Sequence, residues 1–370
     1  MTGRSGAGSP ISPETAIRLL RRWDLLTDDA LVDGDVWVTE LRGRNVNLQV
    51  VSSRGPGFII KQVPVAEPAR PLAVEAWFYG QTARPAYAAL RSFVPRFHRA
   101  DRARRLIVLG LEPGAVAADH LFDDATGRAP PRIGAPLGEV LGALHRAIPF
   151  APGTLAGVAH PWILDIIEPK VDLLRYLSPA QLELIRLLQA QGHAAAAFAR
   201  LRAAWTPASL IHGDVKWSNV LVTKVHDPPD IRLIDWECAA WGDPAWDVGS
   251  ALHSFMVDAI AHAAVTARDG AAAAAAFAHA LPRSWPEIRA FLDAYVRARG
   301  LRGTAVERCV SAAVVFSAVR LVQTAWESCE RAGAIPHYAA GELQLAFNVL
   351  ARPDDARVVV LGLDASVARA

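Results

Sequence analysis

The stretch LIHGDVKWSNVLV, residues Leu210 to Val222, joins two strand-like apolar runs through a polar centre. The centre carries Asp214, Lys216 and Asn219 on a predicted loop, which can direct these side chains toward one place. A carboxylate there can orient a hydroxyl and accept its proton, whereas an amide oxygen is a hard, neutral ligand that suits Mg²⁺. The stretch therefore predicts half of a site for phosphate transfer from a magnesium nucleotide.

A second carboxylate follows the next apolar run, in the segment LIDWE at residues 233–237. Asp235 stands there at the predicted end of a strand, where its anionic oxygens would bind Mg²⁺ together with Asn219. Asp and Asn are also common turn residues, so this spacing alone is weak evidence of catalysis. The hypothesis gains weight only from further elements in the expected order along the chain.

A phosphate-binding turn and a paired lysine are the elements expected upstream. The segment RGRNVN, residues 42–47, forms a predicted turn between strands, where backbone N–H groups could hold phosphate. Lys61 is a single lysine in the apolar strand FIIKQV, and burying its ammonium is costly unless it is paired. Glu75 in the next helix is the expected partner, although Glu67 also follows Lys61. Alternatively, Lys61 is an edge-strand lysine that prevents aggregation.

The order of predicted strands and helices indicates an α+β fold with two lobes. The segments VWVTEL, NLQVVSS and GFIIKQV predict a three-strand meander, and PLAVEAWFYGQTA predicts a helix. FVPRFHRAD and RRLIVLGLEPG add two strands, which gives a five-strand antiparallel sheet with one inserted helix. The chain after Gly114 reads mostly as helices. We therefore predict a disordered tail at residues 1–10, a nucleotide-binding sheet lobe at 11–111 and a helical lobe at 112–370.

Together these motifs resemble the aminoglycoside-phosphotransferase and choline-kinase branch of the protein-kinase-like fold, over roughly Val36 to Leu350. HGDVKWSN is similar to the catalytic loop of this branch, LIDWE to its metal-binding strand, and WGDPAWDVGS to the segment that follows. The resemblance implies a bilobal, protein-kinase-like enzyme that uses ATP and Mg²⁺ to phosphorylate a hydroxyl group.

The resemblance also implies a role for each residue of the two motifs. Asp214 would be the catalytic base, and Lys216 would neutralise charge on the γ-phosphate. Asn219 and Asp235 would hold Mg²⁺, and Asp247 would brace the catalytic loop through hydrogen bonds.

On the nucleotide side, the resemblance implies that Lys61, paired with Glu75, grips the α- and β-phosphates. In LIVLGLEPG, Leu109 would be the gatekeeper, and backbone groups of Gly110 and Glu112 would bind the adenine edge. The phosphate turn contains one glycine where protein kinases have three, so side chains could share the contact with phosphate. The residues implied for the nucleotide are Gly43, Asn45, Lys61, Glu75, Leu109, Gly110 and Glu112.

The acceptor is open at this stage. Acidic and basic residues are nearly balanced from residue 236 onward, which is weak evidence against polycationic aminoglycosides. GRNVNLQVV, FIIKQ, LGALHRA, HPWILDIIEPK and HGDVKWSNVLV are similar to kinases of class V lanthipeptide biosynthesis. That resemblance implies a Ser or Thr acceptor in a precursor peptide and a separate lyase partner. The alternatives are a small-molecule kinase for an antibiotic or a choline- or homoserine-type metabolite, and a pseudokinase.

Composition limits the possible environments. The chain is 52% hydrophobic and 21% charged with a net charge of +2, which does not favour nucleic acid as a partner. No apolar run approaches the roughly 18 residues of a membrane span. Three cysteines without metal-ligand spacing indicate reduced thiols in the cytoplasm. Trp241 and Trp246 are predicted to pack in the core in preference to forming a cage around a cation.

Overall fold

The computed structural model describes residues 10–32, 34–41, 45–121, 132–151, 160–224, 229–266 and 270–363. Gly43 and residues 1–9 of the predicted tail lie outside the described residues. The chain divides into two compact units. The first comprises Met1–Val116, Val220–Lys224 and Asp230–Ala239, and the second comprises Ala117–Asn219, Val225–Pro229 and Ala240–Ala370.

The strands and α-helices of the described residues have the bounds below. The strands are β1 (Val36–Leu41), β2 (Val46–Ser52), β3 (Phe58–Gln62), β4 (Phe97–Asp101), β5 (Leu106–Gly110), β6 (Val116–Ala117), β7 (Ser209–Ile211), β8 (Val220–Lys224), β9 (Asp230–Leu233) and β10 (Ala240–Gly242). The α-helices are α1 (Pro13–Arg22), α2 (Asp28–Val32), α3 (Arg70–Thr82), α4 (Gly134–Ala147), α5 (Val171–Leu174), α6 (Pro179–Ala190), α7 (Gly192–Ala204), α8 (Pro244–Thr266), α9 (Gly270–Ala280), α10 (Trp285–Arg299), α11 (Thr304–Ser328), α12 (His337–Ala351) and α13 (Pro353–Val359).

The first unit is built on the predicted antiparallel sheet, with strand order β1-β2-β3-β5-β4. Alternate residues of the central strands, such as Leu48, Phe58 and Val108, are buried in one core with residues of α1. Helix α1 begins after Ser12, whose hydroxyl accepts a hydrogen bond from the backbone N–H of Thr15 at 3.3 Å and so caps the helix. The five-strand antiparallel sheet is therefore confirmed.

The hairpin of β8 and β9 belongs to the first unit, whereas the sequence prediction placed these residues in the helical lobe. The reason lies in the short 3₁₀ helix Trp236–Cys238 that follows β9. Its Trp236 is buried and stacks on Phe78 of α3, with ring centroids 3.5 Å apart. This aromatic stacking packs the segment after β9 against α3 of the first unit.

The second unit is mostly helical, as predicted, with two pairs of helices at its centre: α4 with α10 and α8 with α11. The segment 178–205 forms two helices, α6 and α7, because the backbone at Gln191 leaves the helical region with ψ 88°. Within the described residues, no helix is both long enough and apolar enough to cross a membrane.

Three glycines of α4 allow its close approach to α10. Gly134, Gly138 and Gly142 recur at every fourth position and so share one helix face. A Cβ atom at Gly138 would lie 2.2 Å from the backbone oxygen of Phe291, a distance that no side chain can occupy. The backbones of α4 and α10 therefore pack in direct contact along these three positions, where only glycine fits.

We expect Gly138→Ala to destabilise the protein by about 1–3 kcal/mol, because the added methyl group would force α4 and α10 apart. Gly80→Ala on α3 is the matched control, since a Cβ there meets nothing within 4 Å. This control should be neutral or stabilising by roughly 0.5–1 kcal/mol, because alanine is the better helix former. Urea unfolding of both variants measures the difference, and equal destabilisation would contradict the close approach.

Candidate active site

Lys61 on β3 forms the central ion pair of the first unit. Its Nζ lies 2.8 Å from Oε2 of Glu75 on α3, and it also pairs with the carboxylate of Asp235, which follows β9. Glu75 is 1% exposed and Lys61 is 9% exposed, whereas Glu67 is exposed. The predicted Lys61–Glu75 pair is present, and the edge-strand interpretation of Lys61 is wrong because β3 lies between β2 and β5.

Burial and charge act against each other in this cluster. Burial alone would lower the pKa of Lys61, but the carboxylates of Glu75 and Asp235 hold that pKa above its ordinary value. Burial raises the pKa of Glu75 to about 7, with the Lys61 ammonium acting in the opposite direction. Lys61 is therefore a fixed positive charge, which is the property that binding of a phosphate requires.

Asp235 has an unusual backbone conformation. Its φ of 66° and ψ of 57° lie in the left-handed region, which costs an L-residue roughly 1 kcal/mol or more. The next residue, Trp236, donates its indole N–H to the backbone oxygen of Leu233 at 3.1 Å. This turn presents the Asp235 side chain to Lys61 and leaves it 32% exposed, so the carboxylate can still take a ligand.

The remaining residues predicted for the nucleotide lie at β2 and at the end of β5. Leu109 is buried on β5, and Asn45 is half-buried directly before β2. The backbone N–H of Gly110 donates to the oxygen of Arg96 at 2.7 Å, so only its carbonyl could serve a base edge. The Glu112 carboxylate lies 3.8 Å from Nε of Arg232. Base binding by Leu109, Gly110 and Glu112 stays a prediction.

In the second unit, Asp247 on α8 holds the loop that follows β7. Its Oδ2 accepts the backbone N–H of His212 at 2.6 Å, and its Oδ1 accepts that of Gly213 at 2.9 Å. Gly213 has φ +84°, a conformation that favours glycine. The indole of Trp246 donates to the Gly213 oxygen at 3.0 Å, so three successive peptide groups of this turn are bound to α8. The predicted brace is therefore present.

Asp247 stays ionised although it is fully buried. Burial raises its pKa, but the hydrogen bond from His145 and those from the loop backbone hold the net pKa below its ordinary value. The Nε2 of His145 lies 3.1 Å from Oδ2 of Asp247, and Nδ1 lies 3.0 Å from the hydroxyl of Tyr295. A buried anion with this many partners gives the loop one defined conformation.

Asp214 is the carboxylate that this loop presents. Its Oδ2 lies 2.7 Å from Nζ of Lys216, and its Oδ1 accepts a hydrogen bond from Nη2 of Arg320 at 2.9 Å. Burial raises the pKa of Asp214, but Arg320 and Lys216 hold the net value well below the ordinary range. Asp214 is therefore an anion that can orient a hydroxyl group and receive its proton.

Asn219 completes the loop and has the chemistry of a metal ligand. Its Nδ2 donates to the backbone oxygen of Asp214 at 2.9 Å and to Oδ2 at 3.3 Å, which leaves its Oδ1 as the group for a metal. Asn219 thus offers an oxygen donor of the type that Mg²⁺ prefers, and its binding of a metal stays a prediction. In the described part of the chain, no group of three or more His, Cys, Asp or Glu residues is arranged to hold a metal.

Sequence reasoning missed Arg320, which is the closest partner of Asp214 outside the loop. A single Arg in the apolar stretch VVFSAVRLVQTAW was a usable signal, of the same kind that drew attention to Lys61. The brace formed by His145 was also missed. Trp241 and Trp246 are 2% and 1% exposed, so the packing interpretation is confirmed and neither ring is open to a substrate cation.

Comparison with known proteins gives the family. The model of the APH phosphotransferase enzyme family matches residues 38–291, which is more than half of the chain. The chain therefore belongs to this family, and it is a phosphotransferase that acts on an alcohol group. Among curated proteins, no significant match was found.

Solved structures give the same fold at low sequence identity. A microcompartment-associated aminopropanol kinase is 17% identical with a TM-score of 0.55, and the match covers 92% of this chain and 98% of that one. A glucosamine kinase in complex with glucosamine, ADP and inorganic phosphate is 19% identical with a TM-score of 0.53, covering 93% and 87%. The amicoumacin kinase hAmiN with AMP-PNP and Ca²⁺ is 12% identical with a TM-score of 0.54, covering 93% and 97%. The kinase-like fold is thus established.

We expect Glu75→Ala to lower the free energy of unfolding by about 1–3 kcal/mol, because the substitution removes a buried side chain that contacts Lys61 and leaves unfilled space. Lys61 keeps one carboxylate partner, because Asp235 remains in contact. Glu67→Ala is the control, and as an exposed substitution it should change stability by less than about 0.5 kcal/mol. If urea unfolding gives the two variants the same stability, the buried pair contributes nothing.

Proposed function

We propose that the protein transfers the γ-phosphate of Mg-ATP to a hydroxyl group of a small molecule. The observation that carries the proposal is the ionised Asp214, held by its loop and by Arg320, in a chain of the phosphotransferase family. Lys61, Glu75 and Asp235 form a second charged cluster in the expected order along the chain. A pseudokinase is disfavoured because Lys61, Asp214, Asn219 and Asp235 are all present.

In this proposal the nucleotide is bound by the first unit. Lys61 contacts the α- and β-phosphates, and Glu75 keeps its ammonium in place. Asn45 shares the contact with phosphate, and the strand end at Leu109 to Glu112 receives the adenine. Two similar kinases were solved with AMP-PNP and Ca²⁺ and with ADP, which supports a nucleotide and a divalent metal here. Mg²⁺ bound by Asn219 and Asp235 would neutralise phosphate charge.

Asp214 acts on the acceptor. Its carboxylate accepts a hydrogen bond from the acceptor hydroxyl and so aims the oxygen at the γ-phosphorus. Because the transition state of phosphoryl transfer is loose, the proton need not leave early, and a weakly basic carboxylate is sufficient. Lys216, 41% exposed beside Asp214, would place its ammonium against the transferred phosphoryl group.

The acceptor that the comparisons favour is a small alcohol. The similar kinases act, by their names, on aminopropanol, glucosamine and amicoumacin. A Ser or Thr of a lanthipeptide precursor, with a lyase partner, rests only on the sequence resemblance and on Lys216, and the comparisons add no support for it. The need for ATP and three cysteines, none of which forms a disulfide within the described residues, favour a cytoplasmic location.

We expect Asp214→Asn to lower phosphate transfer by about 10²–10⁴-fold, because an amide cannot accept the proton of the hydroxyl. Affinity for Mg-ATP should change little, since Lys61 and Asp235 are intact. The assay follows labelled γ-phosphate into a panel of amino alcohols, amino sugars, aminoglycosides, macrolides, choline-like metabolites and Ser/Thr peptides. Turnover by Asp214→Asn at the wild-type rate would contradict the assignment of the base.

The same panel separates the acceptor classes. Label in an amino alcohol, sugar or drug would support the small-molecule proposal, whereas label only in a peptide would replace it with the precursor-peptide alternative. Tight binding of Mg-ATP without label in any acceptor, and without hydrolysis, would favour a pseudokinase.

A further inference from the structure

Arg320 is a buried cation in an apolar helix. It lies in the middle of α11, is 3% exposed, and has apolar neighbours Val319 and Leu321 in sequence. Burying a guanidinium costs several kcal/mol unless it is paired and hydrogen-bonded. A guanidinium is tolerated in a helix core where neighbouring groups pair with its charge and accept its hydrogen bonds.

Three contacts with other described residues orient the guanidinium. Nη2 donates to Oδ1 of Asp214 at 2.9 Å, and Nη1 donates to Oε1 of Gln323 at 2.9 Å. The guanidinium carbon lies 5.6 Å from the ring centroid of Trp246, within the range of a cation–π contact. Gln323 is itself held, because its Nε2 donates to Glu327 at 2.9 Å.

We propose that Arg320 is a positioning residue for phosphate transfer: it holds the carboxylate of Asp214 in the orientation that receives the acceptor hydroxyl. The inference rests on the proposed function for its catalytic consequence, though the contact itself lies within one compact unit. Arg320 would not touch the acceptor or the phosphate and acts through Asp214.

The other partners of Asp214 are less able to fix its carboxylate. Lys216 is 41% exposed at the end of a flexible four-carbon side chain, and its ammonium is needed at the γ-phosphate. Asn219 reaches Oδ2 only at 3.3 Å, which is a weak hydrogen bond. Arg320 is 4% exposed at its side chain, rigidly oriented, and comes from a helix outside the loop. It therefore sets the side-chain orientation that the loop backbone leaves open.

Oδ1 of Asp214 keeps hydrogen-bonding capacity for the acceptor hydroxyl. A carboxylate oxygen accepts two hydrogen bonds, and Oδ1 receives one from Arg320. Holding Oδ1 by a directional donor thus defines where its second lone pair points. A misplacement of about 1 Å can lower a reaction rate 10²-fold. The gain in rate from a fixed carboxylate can therefore outweigh the loss of stability from a buried guanidinium.

The test compares Arg320→Gln, Arg320→Lys and Arg320→Ala with the control Arg308→Gln, an exposed arginine on the same helix. We expect Arg320→Gln to lower kcat for transfer, or for Mg-ATP hydrolysis, by about 10²-fold. KM for Mg-ATP should stay within about threefold, because the nucleotide contacts are untouched. Arg320→Lys should recover part of kcat, millimolar methylguanidine should recover part of it in Arg320→Ala, and the control should match wild type.

Two results would overturn the inference. One is an Arg320→Gln variant with wild-type kcat. The other is a loss that methylguanidine and Arg320→Lys fail to reverse while the melting temperature falls, which would indicate a purely structural role. Crystal structures of wild type and Arg320→Gln decide the question even if the protein transfers no phosphate: a rotated Asp214 side chain supports positioning, and an unchanged one refutes it. Absence of any transfer by wild type would refute only the proposed function.

Discussion

The second unit depends on one buried anion, the carboxylate of Asp247. It accepts backbone N–H groups of His212 and Gly213 and lies beside His145, so a single side chain fixes the loop that carries Asp214. Without these donors a fully buried carboxylate would be strongly unfavourable, and without the carboxylate two buried peptide groups would lack partners. The loop conformation and the ionised state of Asp247 therefore stabilise each other.

The two charged clusters share one design. In the first unit a buried cation, Lys61, is held by Glu75 and Asp235. In the second unit an anion, Asp214, is held by Lys216 and Arg320. Each of these charges is thus kept ionised and oriented by opposite charges in a partly dry environment, where electrostatic interactions are stronger than in water. Such preorganised charges are what phosphoryl transfer demands of a protein.

Much of this arrangement could be predicted from the sequence, because local patterns carried it. Lys61 was conspicuous as a lone charge in an apolar strand, and the need to pair it led to Glu75. Segments rich in Val and Ile predicted strands β1 to β5 closely. Such a pattern can be recognised within each strand, without knowledge of its neighbours in the sheet. The resemblance to the phosphotransferase branch supplied Asp247 as a brace, which spacing alone would not have given.

The features that escaped prediction depend on tertiary contacts. Arg320 lies 106 residues from Asp214 in the chain, so no local sequence pattern predicts that the two side chains pair. The place of β8 and β9 in the first unit follows from the stack of Trp236 on Phe78, again a contact between distant segments. The acceptor stays a prediction: the sequence resemblance favoured a peptide, whereas the similar folds belong to kinases of small molecules.

The most direct test of the account is a calorimetric titration of the wild-type protein and of Asp235→Asn with ATP, each with and without Mg²⁺. If Lys61 and Asp235 serve a magnesium nucleotide, wild type should bind ATP in a manner that requires the metal. The amide variant should bind at least about tenfold more weakly, since a neutral oxygen holds Mg²⁺ less well than a carboxylate. Folded wild-type protein that binds no nucleotide, or that binds ATP equally well with either residue at position 235, would contradict it.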